Sequence, residues 1–571
     1  MKNINHKKIS KIVLNNVDYV EDGELAEVFN EYFCNVGLNL NDEIPLTDDD
    51  PLHNMEYNNN MFMDFVPVSN VDIISNINSL KNSKQGLNEI SVNVIKRNSV
   101  HLSPPITDII NSCFRGGIFP KPLKIAVVLP LFKKGDKTII SNYRPISILH
   151  YLSKIFEKCI KSQLLNFIIE NQIISPIQFG FQPGISTQDA IIHLTEILYS
   201  NLNNKSIVLG VFIDFAKAFD TINREILLRK LEFYGIRGPA LELVRSYLTL
   251  RQQTVRVGNS YADYRYINIG VPQGSVLGPL LFILYINNLT TISDQFSSLL
   301  FADDSTLIFE DNDINNLVSK CNDGLNKLLS WCNSNRLSIN VSKTNYMLFS
   351  NIYVPQNLPT VQINSIPVER SSSVGFLGVE IDEKLKFNFH IDNICTKISK
   401  NIGVLYKLKN IIPLQSRISI YYAFVHPYLN YCQLIFGSTH DCYLNRIETL
   451  QKRCVRVVAD VEYLAHTNPL FFKFQILKFK DLYKYNACTY MFKNLEKFEN
   501  LLVSHSHNTR SHGNYVATFQ RLDLTQRQSI MYQCPTIWNN LPDTVRSVNS
   551  LDQFKQKCKQ YLISLYNPSE Q

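Results

Sequence analysis

Two apolar, strand-like runs in this chain end on aspartate. One is Phe212-Ile213-Asp214-Phe215-Ala216-Lys217-Ala218-Phe219-Asp220, the other Leu300-Phe301-Ala302-Asp303-Asp304. Carboxylates are normally excluded from such runs. A divalent cation that needs oxygen ligands is an economical reason to accept them. Two runs far apart in sequence can converge on one sheet and hold two metal ions. That arrangement suits nucleotidyl transfer, with one ion activating the attacking hydroxyl and the other steadying the leaving oxygen. Taken alone, Ala-Asp-Asp reads as a hairpin turn and Asp214 as a plain strand end, so the rest of the chain must decide.

The elements that would carry these residues are legible in the spacing. Residues 207–213 read as a strand, followed by a helix over 223–234 closed by Gly235. Leu299 to Phe309 reads as two β runs around Ala302-Asp303-Asp304-Ser305, a tight hairpin that presents the carboxylates. A capping box from Ser186 to Asp189 opens a helix over 186–198 with Ile191, Leu194 and Leu198 on one face. The β-rich run Ile125 to Phe132 meets a cationic turn, Lys133-Lys134-Gly135-Asp136-Lys137. Ile391, Ile394, Ile398, Ile402, Leu405 and Leu408 predict a long helix over about 390–410. Residues 70–118 suggest two or three short helices, and beyond 440 the pattern is mainly helical and aromatic. Residues 1–60 are polar, with one amphipathic helix at Leu25 to Phe33 and a linker-like stretch from Thr47-Asp48-Asp49-Asp50-Pro51 to Asn60. Alternating βα blocks with a hairpin indicate an α+β core.

Composition narrows the class. With 571 residues, 45% hydrophobic and 19% charged, the bulk is expected to be globular. A net charge of +7 permits a nucleic-acid partner without demanding one. The twelve cysteines form no C-x-x-C pair, as expected of reduced thiols in an intracellular protein. The first residues do not look like a signal peptide, and no apolar run approaches membrane-spanning length, so no membrane partner is expected.

Five further blocks occur in order: Asn142-Tyr143-Arg144-Pro145-Ile146-Ser147, Gln178-Phe179-Gly180-Phe181, Val271-Pro272-Gln273-Gly274-Ser275-Val276-Leu277-Gly278-Pro279, Asn340-Val341-Ser342-Lys343-Thr344 and Phe376-Leu377-Gly378-Val379. With the two aspartate runs they resemble the fingers and palm of reverse transcriptases, most closely the non-LTR (LINE-type), jockey-like retrotransposon polymerases. The resemblance is strong over about residues 120–390. It continues more weakly into Phe29-Asn30-Glu31-Tyr32-Phe33 and Ile537-Trp538-Asn539-Asn540-Leu541-Pro542.

The resemblance implies an α+β right hand. Its parts would be a polar N-terminal segment and linker (1–60), a helical extension of the fingers (61–118), fingers and palm (119–360), primer grip and thumb (361–440) and a helical C-terminal region (441–571). It implies an RNA-directed DNA polymerase, a nucleotidyltransferase acting on an RNA template, a DNA primer or target and dNTPs. Asp214, Asp303 and Asp304 would be the catalytic carboxylates and ligands of two Mg2+ ions, or Mn2+ in their place. Lys343 matches the family lysine placed to protonate the departing pyrophosphate. Phe219 stands where the family puts an aromatic beside the sugar; such a wall clashes with a ribose 2′-hydroxyl. Gln273 and Gly274 would line the dNTP pocket.

Arg144 and one or both of Lys133 and Lys134 would grip the triphosphate, Arg as a fork and Lys as a point charge. Phe376-Leu377-Gly378 resembles the primer grip, and Lys397, Lys400, Lys407 and Lys409 lie on the expected thumb helix. Two other readings stand beside this one. An RNA-dependent RNA polymerase shares the palm, but Phe219 argues against it. A non-catalytic nucleic-acid-binding remnant is opposed by the intact aspartates. The cation–aromatic stretch from Phe471 to Tyr485 would be a single-stranded RNA platform or a packed helix. His505, His507 and His512 have no cysteines at zinc spacing and read as a loop. The endonuclease that jockey-like elements carry has no room before residue 60, so its activity is expected from a missing N-terminal region. Work on chromosomal DNA would place the protein in the nucleus, otherwise in the cytoplasm.

Overall fold

The computed structural model describes residues 9–53, 55, 61–81, 90–355, 358–502, 515 and 526–567; His505, His507 and His512 lie outside these. Its centre is the strand Ile207–Ile213, buried at every position. Side chains alternate across a strand, so complete burial requires a core on each face. Ile207, Leu209, Val211 and Ile213 enter one hydrophobic cluster with helices between residues 70 and 334. Val208 and Phe212 enter a second cluster, made largely of residues beyond 376. The neighbouring strands divide in the same way: Leu307, Phe309 and Leu348 join the first cluster, Ile308, Met347 and Phe349 the second. A strand covered on both faces must be apolar throughout. Asp214, the next residue, is the first that can carry a charge.

The sheet runs Glu369–Arg370, Asn345–Phe349, Ile207–Ile213, Asp304–Asp311, Ser297–Phe301, and the central strand is antiparallel to both neighbours. Ser305 pairs with Ile213, a register that brings Asp304 and Asp214 to adjacent strand ends. Asp304 pairs with Phe301, so the hairpin turn is Ala302-Asp303 alone. The sequence places Asp304 and Ser305 in that turn, whereas both belong to the strand. A two-residue hairpin needs left-handed backbone, and Ala302 supplies it at φ 56°.

A second sheet orders Tyr143–Leu149, Ile125–Phe132, Arg251–Val257 and Ser260–Tyr261, with Arg265–Ile267 also paired to Arg251–Val257. The helix Thr187–Asn203 begins at the expected capping box: the Ser186 hydroxyl accepts from Asp189 N, and the Asp189 carboxylate accepts from Ser186 N at 2.8 Å. The helix Arg224–Phe233 is followed by Gly235 at φ 93°.

The N-terminal segment is built into the fold more fully than its polar composition suggests. A hairpin of Ile12–Leu14 and Val17–Tyr19 and the helix Asp22–Asp42 lie on the second sheet. There Ile12, Leu25, Phe29 and Phe33 share a core with Val128, Tyr143 and Val255. This helix outruns the expected 25–33 because polar and small residues also face inward. The Asn30 amide donates to Asp263 O at 2.7 Å, and Gly37 leaves room for the backbone of Asp220. The stretch read as linker is tied to the fold at Pro51, whose carbonyl accepts from the Asn288 amide at 3.0 Å, and just before the stretch Arg336 donates to Ile44 O at 3.0 Å.

The expected thumb helix is Asn388–Leu408, burying Ile391, Ile394, Ile398, Ile402 and Leu405. Residues of the helices Asp441–Ala459, Phe479–Lys493, Ile530–Asn539 and Leu551–Ser564 complete the same core. In the cation–aromatic stretch Phe471, Phe479 and Tyr483 point inward. Lys480 pairs with Asp441 at 2.6 Å and Lys484 with Asp481 at 2.9 Å. The stretch spans two helices, Asn468–Lys473 and Phe479–Lys493, with these aromatics packed inside. Among the described residues, no helix is long and apolar enough to cross a membrane.

Candidate active site

The two aspartate runs meet because separate segments grip their backbones. Asn340 N donates to Asp214 O at 2.7 Å, Asp214 N to the hydroxyl of fully buried Thr344 at 3.3 Å, and Ala216 N to Ser338 O at 2.9 Å. The Ala302-Asp303 turn is held from the Gln178-Phe179-Gly180-Phe181 block. Oε1 of fully buried Gln178 accepts from Gly180 N at 2.8 Å and from Ala302 N at 3.2 Å. Phe179 N donates to Leu300 O at 2.7 Å, and Leu300 N to Ile177 O at 3.0 Å. A Cβ on Gly180 would collide with Ala302 N.

Asp303 and Asp304 are exposed at their tips but sit in a concave, partly dehydrated part of the surface. Burial is the first cause that pushes the Asp304 carboxyl up to about 6; the charges of Asp303 and then Asp214 add to it. Asp303 is raised by burial and by Asp214, and Arg144 and Lys133 oppose this. Converging carboxylates that raise one another attract a cation. Among the described residues, no group of three His, Cys, Asp or Glu side chains is already closed around a metal position. The donor set still fits Mg2+, which takes one or two carboxylates and completes its shell with water and substrate phosphates. The ammonium of Lys343 lies 3.6 Å from Asp214 Oδ2 in an exposed pair that is weak enough to open.

Three cations, Lys133, Arg144 and Lys343, border the carboxylates. Burial lowers the Lys133 ammonium, and the nearby charges of Arg144 and Lys343 lower it further. The charge of Lys133 acts on both Asp303 and Asp304, whereas that of Lys134 acts on Lys133. Lys217, not singled out from sequence, adjoins these cations on the side of Asp220: burial lowers it, Asp220 opposes this, and Lys343, Lys133 and Arg144 reinforce it.

The adjoining wall is formed by Phe219, Gln273 and Gly274. Phe219 is half-buried and stacks on Phe282 with centroids 4.5 Å apart. Gln273, expected to hydrogen-bond the nucleotide, has its amide engaged within the chain. Its Nε2 donates to both carboxylate oxygens of Asp220, each at 2.9 Å. Gly274 has φ 109°, and a Cβ there would lie 2.8 Å from Ser147 O, so its close approach is to the neighbouring strand. Asp220 was also missed from sequence. Burial pushes its carboxyl up to about 6, and the Gln273 hydrogen bond and Lys217 pull it back. An open groove leads from Asp214, Asp304 and Lys343 to Gly375 and Phe376 of the hairpin Ser373–Phe376/Val379–Asp382. The hairpin turn residues Leu377 and Gly378 have φ 46° and 86°.

The thumb lysines divide. Lys409 pairs with Asp460 at 2.8 Å, and the Lys397 ammonium lies 5.5 Å from the Tyr428 ring centroid; Lys400 and Lys407 are exposed.

Carboxylates on adjacent ends of an antiparallel sheet, ringed by cations and flanked by an aromatic wall, define a palm of the right-hand polymerase class. Residues 132–381 match the family model described as Reverse transcriptase (RNA-dependent DNA polymerase). The chain is 30% identical over 415 residues to the probable RNA-directed DNA polymerase from transposon BS of Drosophila melanogaster, covering 71% of this chain and 46% of that protein. It is 28% identical over 396 residues to the RNA-directed DNA polymerase from mobile element jockey of Drosophila melanogaster, covering 67% of this chain and 43% of that protein. Among solved structures, apo telomerase from Candida Tropicalis aligns with a TM-score of 0.34 and 12% identity over 46% of this chain and 54% of that one. Residues 132–381 are thus a reverse transcriptase domain of the non-LTR, LINE-type family. The chain spans less than half the length of these transposon relatives.

Proposed function

We propose that this chain is an RNA-directed DNA polymerase of a non-LTR retrotransposon that extends a primer 3′-hydroxyl on an RNA template with dNTPs. The observation that carries this reading is the convergence of Asp214, Asp303 and Asp304 beside Lys133 and Arg144. The hydroxyl oxygen attacks the α-phosphorus, a new P–O bond forms, and pyrophosphate leaves. Asp214, Asp303 and Asp304 would hold two Mg2+ ions, with Mn2+ as a substitute. Such ions, when bound, make the hydroxyl more acidic and neutralise charge on the leaving oxygens.

The remaining work falls to the chain. Lys133 and Arg144 neutralise and orient the triphosphate. Phe219, braced on Phe282, blocks the space of a 2′-hydroxyl. Lys343 supplies a positive charge and a proton to the departing pyrophosphate. The groove toward Phe376 seats the primer end, and Lys400 and Lys407 contact duplex phosphates. The primer end is one that an endonuclease makes on the target, in the nucleus when the target is chromosomal.

The test is primer extension on an RNA template with Mg2+, comparing dNTPs with rNTPs and wild type with Asp214→Ala. Extension by dNTPs that the variant lacks is expected. Extension that survives in Asp214→Ala would remove the assignment.

A further inference from the structure

The block Phe29-Asn30-Glu31-Tyr32-Phe33 lies outside residues 132–381 and has no role in the chemistry above. Its helix nevertheless reaches the nucleotide wall. Tyr32 lies under Lys217, whose ammonium is 5.9 Å from the ring centroid. Gly37, five residues further on, abuts the backbone carbonyl of Asp220 so closely that any Cβ would collide with it. Phe33 and Cys34 line a small pocket together with Asp220 and Gln273.

The turn that receives these contacts is strained. Lys217 has φ 49°, a conformation that costs a residue with a side chain and persists only where its surroundings enforce it. Asp220 N closes the turn onto Lys217 O at 2.7 Å, and Val271 N donates to Phe219 O at 3.0 Å. Gln273 clamps the Asp220 carboxylate from the other side. Lys217 is thus held from outside the matched domain as well as from within it.

We propose that Tyr32 and Gly37 of the helix Asp22–Asp42, with Asp220, form a seat that aims the Lys217 ammonium at the phosphates of the incoming nucleotide. This rests on the polymerase reading of the site. Tyr32, Gly37 and Asp220 are positioning residues; Lys217 makes the contact. The seat governs nucleotide affinity and leaves the transfer step to the carboxylates.

The experiment uses the full chain and two readouts: equilibrium binding of a fluorescent dNTP to the primer–template complex, and steady-state extension. Tyr32→Leu, which removes the ring beneath the cation, should weaken dNTP binding and raise its KM by about 3- to 10-fold. The kcat and the affinity for primer–template should stay unchanged. Tyr32→Phe keeps the ring and should restore the wild-type KM. Lys217→Met should cost at least as much as Tyr32→Leu, and the double variant should cost no more than Lys217→Met alone.

Unchanged dNTP binding in folded Tyr32→Leu would overturn the seat, as would full additivity in the double variant. So would a Tyr32→Leu defect that Tyr32→Phe shares, or one that falls equally on kcat and primer–template affinity. Should Tyr32→Leu fail to fold, Lys217→Met against Asp220→Asn provides the same additivity test. If wild type binds dNTPs and the variants shift that binding, yet no extension occurs, the polymerase reading fails and the seat stands. Normal extension with an indifferent Tyr32 is the reverse result.

Discussion

A carboxylate at the end of a buried strand is costly to leave uncompensated, and Asp214 is offset by an exposed pair with Lys343 and by the nearby charge of Lys133. Its replacement therefore bears on function far more than on stability. Asp214→Ala is expected to lower extension by at least about a hundredfold, the order seen when one stabilising group at a reacting centre is lost. Its melting temperature should remain near wild type; a large drop in melting temperature would make Asp214 a structural residue. Phe219 stacks on Phe282 and meets Phe181 edge-on, with centroids 6.4 Å apart. Phe219→Val should lower discrimination against rNTPs while dNTP incorporation persists, read as the ratio of kcat/KM values for a matched pair. An unchanged ratio would return Phe219 to the core. Asp220 gives a pH signature. Its carboxyl titrates near 6 in the fold, whereas an unfolded chain ionises at about 3.9. Between those values the folded protein keeps a proton that the unfolded chain releases. The resulting stabilisation is complete below about pH 4 and is lost as pH rises through about 6. Asp220→Asn cannot ionise, so its melting temperature should fall less than that of wild type between about pH 5 and 7.5. Parallel curves would mean that Asp220 is not held in its protonated form.

At the scale of elements, legibility followed the number of cores. Strand Ile207–Ile213 and helix Thr187–Asn203 were readable because an unbroken apolar run and a capping box are local signals. The same holds for the thumb helix, whose isoleucines repeat at helical spacing. The helix Asp22–Asp42 was readable only in its apolar first half. Its second half is fixed by Asn41 accepting from Arg336 at 2.9 Å and by Gly37 against Asp220, contacts made with residues far along the chain. The site was legible where a motif carries its own chemistry, as at Asp214, Asp303 and Asp304. It was not legible where one side chain serves another: Gln273 on Asp220, Gln178 on the Ala302 turn, Lys217 over Tyr32. The thumb shows the same limit. The sequence puts four lysines on this helix and points to Lys400 and Lys407 as the phosphate contacts, and tertiary structure commits Lys409 to Asp460. Neutralising the exposed pair Lys400 and Lys407 should flatten the log–log salt dependence of primer–template binding by up to about two units. Neutralising Lys409 should instead lower stability and leave that slope intact, and a slope change from Lys409 alone would reverse the assignment.

The whole molecule is organised by the palm sheet, whose two faces feed two different cores. The second core is closed by helices that come from the far end of the chain. Phe554 stacks on Phe492 at 4.6 Å and on Trp538 at 5.4 Å between ring centroids. These helices are moored to the palm side by one carboxylate. Glu196, on the helix Thr187–Asn203, accepts from the Ser529 hydroxyl at 2.6 Å and from Ile530 N at 2.9 Å, at the first residue of the helix Ile530–Asn539. Tyr199 adds a hydrogen bond to Gln528 at 3.3 Å. Removing an acceptor from buried donors costs about 1–3 kcal/mol. Glu196→Ala should therefore loosen the helices Ile530–Asn539 and Leu551–Ser564 while the sheet beneath them stays closed. Hydrogen exchange followed by mass spectrometry distinguishes the cases. Faster exchange is expected across 530–564, with strand 207–213 unchanged, and Glu196→Gln, which keeps one acceptor, should lie between the two. Exchange that quickens equally in strand 207–213 would show that the two cores open as one unit, and that the far-end helices hold the palm itself together.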